Sequence, residues 1–384
     1  MAREMVIANA RVVTAEQVFT GAVQIRDGLI ADVSPGARTP PGAVDCEGDY
    51  LIPGLVELHT DNLERHLHPR PGVQWPRRAA VAAHDGEFAS VGVTTLLDAL
   101  RVGSEDGGHL GDYAAEAAQA IAELVALGLL RADHHLHIRC ELTSPNLIAE
   151  YDRIGDDPRV RLISLMDHTP GQRQFTSLDA YAAYYTETRG YTAAQMAAFI
   201  AAAQAAQAAQ VGPNRAALLA RAAPRGFAIA SHDDATPAQV AESVAAGARV
   251  AEFPTTIEAA RAARAAGQRI VMGAPNLLRG GSHAGNVSAA ALAREGLLDI
   301  LSSDYAPASL MLAAFSLAED GAGWDQAWDL PRAIGCVTRA PALAAGFADR
   351  GAIAPGLRAD LARVWHVERL CVVRSLWRAG ARVL

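Results

Sequence analysis

Hydrophobic and polar positions along the chain fall into two styles. Between residues 5 and 50, short apolar runs alternate with polar positions in "VIANARVVT", "GAVQIRDGLIADVSPG" and "AVDCEGDYLIPG", punctuated by Asp27-Gly28 and Pro35-Gly36. Alternation bounded by Gly and Pro predicts small antiparallel strands. The tail returns to this style in "GAIAPGLRADLARVWHV" and "CVVRSLWRAGARVL". Residues 1–50 and 345–384 are therefore expected to build one small composite β-sandwich.

Between them the pattern changes to short apolar runs alternating with helical stretches, which predicts repeated βα units around a parallel sheet. Eight candidate strands occupy residues 51–61, 94–100, 134–142, 159–168, 226–234, 249–254, 269–275 and 298–307. Eight is the number that closes a barrel, so the expected fold is α/β, a TIM-like (β/α)₈ barrel over residues 51–344. Helices are predicted at 113–127, at 237–246 after the Thr236-Pro237 start signal, and at 257–266. The connection 169–225 is far longer than a βα loop requires. Its aromatic patch "YAAYYTETRGY", residues 181–191, reads equally well as a lid over the site or as a dimer contact.

Composition narrows the function classes. A net charge of −8 leaves no basic footprint for a nucleic acid or an anionic membrane, so an anionic substrate must be met by a local patch. All 34 basic residues are arginine. Four cysteines without C-x-x-C spacing argue against a thiolate zinc site and a disulfide framework, and for reduced thiols in a cytoplasm. No apolar, uncharged run of membrane-spanning length occurs, and none is expected.

Polar residues recur where the strands should end. His59 and Asp61 close the first run, Asp98 the second, His168 the fourth, His232 and Asp233 the fifth, and Asp304 the eighth, while His137 and Glu141 lie in the third, Glu252 in the sixth and Asn276 just beyond the seventh. The C-terminal ends of barrel strands carry the chemistry in this fold. One histidine there is commonly a satisfied core residue; recurrence at strand after strand points to a metal site. Imidazole and carboxylate without thiolate suit zinc, manganese, iron or cobalt, and alternate positions on a strand let His59 and Asp61 share a face.

The strings "YLIPGLVELHTD", "GVTTLLDA", "SHDD", "SSDYAP" and "GAIAPGLRADLARV" together resemble the amidohydrolase superfamily over nearly the whole chain. That resemblance implies one or two divalent ions, zinc first, on His59, Asp61, Glu141, His168, His232 and Asp304. His59-Thr60-Asp61 departs from the usual His-x-His by placing a carboxylate second. A chain without lysine cannot use the carbamylated lysine that bridges two metals in many relatives, and Glu141 stands as the substitute.

Within the superfamily, "ELHTDNLERHLHPRPGVQWP", "HIRCEL", "MDHTPGQRQF" and "GAPNLLRGGSHAGNVSA" resemble the α-D-ribose 1-methylphosphonate 5-triphosphate diphosphatases of phosphonate degradation. Hydrolysis of a phosphorylated ribose to its 5-phosphate and pyrophosphate is what this resemblance implies, with Asp304 as metal ligand and proton acceptor and His283 at the leaving group. Arg65, Arg70, Arg173 and Arg279, all in expected rim loops, are candidates to hold phosphate, since guanidinium matches its oxygens bidentately. Asn276 and Asn286, beside the Gly280-Gly281 pair, join them. The alternatives are an amide or cyclic-amide hydrolase of dihydroorotase type and a non-catalytic barrel. A homodimer is expected.

Overall fold

The computed structural model describes residues 4–104, 112–174, 178, 181–182, 191–282 and 285–384. Five strands come from the N-terminal segment: β1 (Glu4–Val13), β2 (Val18–Arg26), β3 (Leu29–Pro35), β4 (Val44–Asp45) and β5 (Tyr50–Pro53). The eight barrel strands follow: β6 (Leu55–Glu57), β7 (Val93–Val102), β8 (Asp133–Glu141), β9 (Val160–Met166), β10 (Ala228–His232), β11 (Val250–Glu252), β12 (Arg269–Gly273) and β13 (Ile300–Ser302). β14 (Leu361–Val367), β15 (Leu370–Arg378) and β16 (Ala381–Arg382) end the chain.

All eight expected barrel strands form, in the parallel order β6 to β13. Their near-continuous apolar character is explained by burial on both faces; in β7 nine of ten positions are buried. Between the first and last strands, the barrel is drawn together at its C-terminal rim. Thr60 bridges to Asp304 in parallel, Asp304 N donates to His59 O at 3.1 Å and Asp61 N donates to Asp304 O at 3.0 Å. The lower interior is filled by Val56, Leu97, Leu162, Val250, Val271 and Ile300.

Both chain ends meet in one hydrogen-bonded sheet of order β16-β15-β14-β5-β1-β2-β3, with β4 beside β1. The run expected as the first barrel strand is divided between the two sheets. Tyr50–Pro53 pairs with β1 and β14, Gly54 turns the chain, and Leu55–Glu57 enters the barrel. Only glycine fits at that crossing, because a Cβ on Gly54 would lie 2.2 Å from the Thr94 hydroxyl oxygen.

The helices at Tyr113–Ala126, Pro237–Ala245 and Ile257–Ala265 fall where helical spacing predicts them. Thr236 caps its helix through Gln239 N, and Gln239 caps back in a capping box. Much of the long connection 169–225 is a helix, Ala193–Ala222, started by a second capping box at Thr192 and Gln195. Its C-terminal half is tied to the barrel, with Asn214 Nδ2 donating to the carbonyls of Leu142 and Ser144 at 2.9 and 2.8 Å. Of the aromatic patch, Tyr181 and Tyr191 pack with Met196 and Phe199, and residues 183–190 lie outside the described part. Among the described residues no helix is long and apolar enough to cross a membrane.

Candidate active site

The chain turns sharply as it leaves β10, β11 and β13. Asp233, Phe253 and Asp304 each follow a strand with positive φ, at 56°, 54° and 54°. Such backbone is unfavourable for a phenylalanine, and its concentration at one rim marks a place where side-chain aim has outweighed local comfort. Around these turns lies a cavity of about 260 Å³ whose wall includes His59, Asp61, His168, His232, Asp233 and Asp304.

Among the described residues, three groups each bring potential ligand atoms within 4.8 Å of one another: His59, Asp61 and Asp304; His168, His232 and Asp233; and His59, His232 and Glu252. Asp233 Oδ2 is buried without a hydrogen bond, 3.5 Å from His232 Nε2. Nitrogen and oxygen donors without a thiolate, together with an unsatisfied buried carboxylate oxygen, fit a divalent first-row ion.

Glu252 underlies these groups. Its Oε1 accepts from His59 Nδ1 at 3.0 Å and its Oε2 faces His232 Nδ1 at 3.3 Å, which leaves both Nε2 atoms for another partner. Ser164 Oγ also donates to Oε2, at 2.5 Å. Burial would push the Glu252 carboxyl upward, but the surrounding imidazoles hold it well below the usual range. Burial likewise works against a charged His59, and the Glu252 charge reverses that and raises its pKa. His137 is turned to Leu58 O (2.9 Å) and Ser164 (2.5 Å), and burial drives its pKa down to about 3.

Glu57 is the other hidden support. Its two oxygens accept from His59 N and Ser303 N, both at 2.7 Å, so one buried carboxylate ties the strand end bearing His59 to the one bearing Asp304. Burial raises its pKa to about 7. Asp304 is raised as well, by burial first and then by the charge of Asp61. Asp61 goes the other way: burial is outweighed by Arg139 and His59, and the carboxyl falls to about 2.

The candidates from the sequence separate into four sets. His59, Asp61, His168, His232, Asp304, Asn276, Asn286 and Arg279 line the one cavity. Glu141 lies behind it, its Oε2 accepting from His168 Nδ1 at 2.6 Å. Arg65, Arg70 and Arg173 are not in its wall. Residues 62–67, expected as a rim loop, form a short helix, and Arg65 on it holds Glu87 with contacts of 2.7 and 2.9 Å. Arg70 is exposed in a turn. Arg173 is 6% exposed and is spent on the Asp234 carboxylate and on His232 O, so it props the end of β10. His283 lies outside the described residues.

Arg139 and Tyr305 were not singled out by the sequence, yet both line the cavity. Tyr305 accepts from Arg279 Nη1 at 3.3 Å. Arg139 sits two positions before Glu141 on β8, and alternation along that strand was the available signal.

No family profile matches the chain. Across 380 residues it is 44% identical to the alpha-D-ribose 1-methylphosphonate 5-triphosphate diphosphatase of Escherichia coli (strain K12), covering 99% of this chain and all of that one. The chain belongs to this diphosphatase family. Solved structures place the family's fold: N-acetyl-D-glucosamine-6-phosphate deacetylase from Mycobacterium smegmatis superposes with a TM-score of 0.63 at 19% identity, over 99% of this chain and 100% of that one. The 5-methylcytosine deaminase from Klebsiella pneumoniae does so at 0.65 and 17%, over 99% and 97%. The chain thus joins a hydrolase family to the barrel fold that these structures share.

Proposed function

We propose that this protein hydrolyses α-D-ribose 1-methylphosphonate 5-triphosphate to α-D-ribose 1-methylphosphonate 5-phosphate and pyrophosphate. The observation that carries this reading is the end-to-end likeness to a diphosphatase of that substrate. Support comes from the cavity, which sets imidazole and carboxylate groups against arginine at a barrel rim.

One or two divalent ions, zinc first, would be held by His59, Asp61, His168, His232 and Asp304 and would supply Lewis acidity to a phosphoryl oxygen. Asp304, whose pKa is raised by its buried setting, takes a proton from the attacking water. The new O–P bond forms as the bridging P–O bond breaks, and pyrophosphate leaves. Arg279, beside Tyr305, meets the phosphate charge, and His283 serves the leaving group. The protein acts as a homodimer in the cytoplasm.

Release of pyrophosphate from the ribose triphosphate, followed across a metal series with a nucleoside triphosphate as control, tests the reading. Wild-type protein is expected to respond to the ion added, and Asp304→Asn to lose about 10²–10⁴-fold in rate. Release of ammonia or a carboxylate from an amide, with no pyrophosphate from the triphosphate, would overturn it.

A further inference from the structure

A cavity walled by Asp61, Asp233 and Asp304 is a poor host for a polyanion unless cations stand inside it. Among the described residues, two guanidinium groups reach its wall, Arg139 and Arg279. Arg279 was expected from its rim position. Arg139 is different in kind, because it rises from within β8 and its side chain is only 12% exposed.

Arg139 has more donors than its surroundings use. Nη1 pairs with Asp61 Oδ1, while Nε is buried and has no hydrogen-bond partner. Leaving a buried N–H without an acceptor is costly, and on a residue of the cavity wall an acceptor that arrives with a ligand would satisfy it. A guanidinium keeps its charge at any working pH. Asp61 is also the residue that breaks the His-x-His pattern. Carboxylate and guanidinium therefore occur together, the one fixing the other.

Position in the barrel adds the geometry. β8 and β12 are the third and seventh of eight strands, on opposite sides of a closed barrel, and Arg279 ends the helix that follows β12. The two guanidiniums reach the cavity from units four strands apart in the barrel order.

We propose that Arg139 is a polyphosphate-binding residue of this cavity, gripped by Asp61 so that its remaining N–H groups meet phosphoryl oxygens. This rests on the diphosphatase reading and adds the residue that selects a phosphoric anhydride chain over an uncharged amide.

Equilibrium binding of inorganic tripolyphosphate to the metal-loaded protein tests it without requiring turnover. Wild type is expected to bind, Arg139→Met to bind about tenfold or more weakly, and Arg139→Lys, which keeps the charge but loses the planar fork, to fall between. Metal content measured on the same samples is expected to be unchanged. An unaltered dissociation constant in Arg139→Met, or no binding by wild type, overturns the proposal. Should that variant fail to fold or to hold metal, a crystal structure of wild type with tripolyphosphate decides instead. A phosphoryl oxygen within about 3.2 Å of the guanidinium is the expected result, and a phosphate chain out of its reach the contrary one. Wild type that binds tripolyphosphate through Arg139 yet releases no pyrophosphate from the ribose triphosphate would retain this site and remove the assigned reaction.

Discussion

Glu252 serves two imidazoles at once, and that makes it a sharp place to test the centre. Glu252→Gln preserves the shape but turns one acceptor into an amide donor, so an N–H faces the N–H of His59 or His232. Affinity for the divalent ion is expected to fall about 10–100-fold, measured by competition with a chelator. Unchanged affinity would mean that the imidazoles are oriented by something else. His134 offers a separate test, remote from the cavity. It lies between Asp98 (2.7 Å) and Asp85 (3.3 Å), with His84 on the far side of Asp98 (2.9 Å). Burial alone would lower its pKa, but the Asp98 and Asp85 charges raise it to about 9 from 6.5. Between those values the folded chain holds a proton that the unfolded chain has lost. The stabilisation is complete below about 6.5 and disappears as pH rises through about 9. The thermal midpoint of wild type should fall over that window more steeply than that of His134→Gln, and parallel slopes would remove the assignment.

The helix Ala193–Ala222 shows how an element can be readable at its ends and opaque in its purpose. Thr192 and Gln195 announce its start, and its alanine content makes it helical, but nothing in its apolar pattern says where it docks. Docking depends on Asn214, whose amide satisfies two carbonyls beyond the end of β8. Asn214→Ala is expected to cost about 1–3 kcal/mol, seen as a lower urea midpoint. A midpoint equal to wild type would show that Leu218 and Ala222 anchor the helix unaided. The short helix Asn62–Leu67 is the converse case. Its residues are dense in charge, which favoured a phosphate-binding loop, whereas their partner, Glu87, lies on the next helix and is invisible to a local reading.

The barrel and its candidate metal groups are one construction. His59 and Asp61 leave β6, Asp304 leaves β13, and the hydrogen bonds between these strand ends draw the cylinder together, with Glu57 beneath them. An ion bound across that seam stabilises the folded state in proportion to the logarithm of its concentration over Kd, about 2.7 kcal/mol at a hundredfold excess. Chelation should lower the thermal midpoint, and added ion should restore it in a concentration-dependent way. A midpoint indifferent to both would place the ion, if any binds, away from this seam.

The barrel, its eight strands, the shared sheet of the two ends and the ligand types at the strand ends follow from periodicity and local turn chemistry, which are properties of neighbours in sequence. Which arginines face the cavity does not. Arg65 and Arg173 are diverted to Glu87 and Asp234, while Arg139 meets Asp61 across 78 residues of chain. Glu57 reads as an ordinary interruption of an apolar strand and Glu252 as one more polar residue of the strand set, and their supporting work begins only when closure brings His59, His232 and Ser303 against them. Side-chain pairing in a buried site is decided by long-range packing and by the cost of leaving a charge unpaired, and only the tertiary structure sets both.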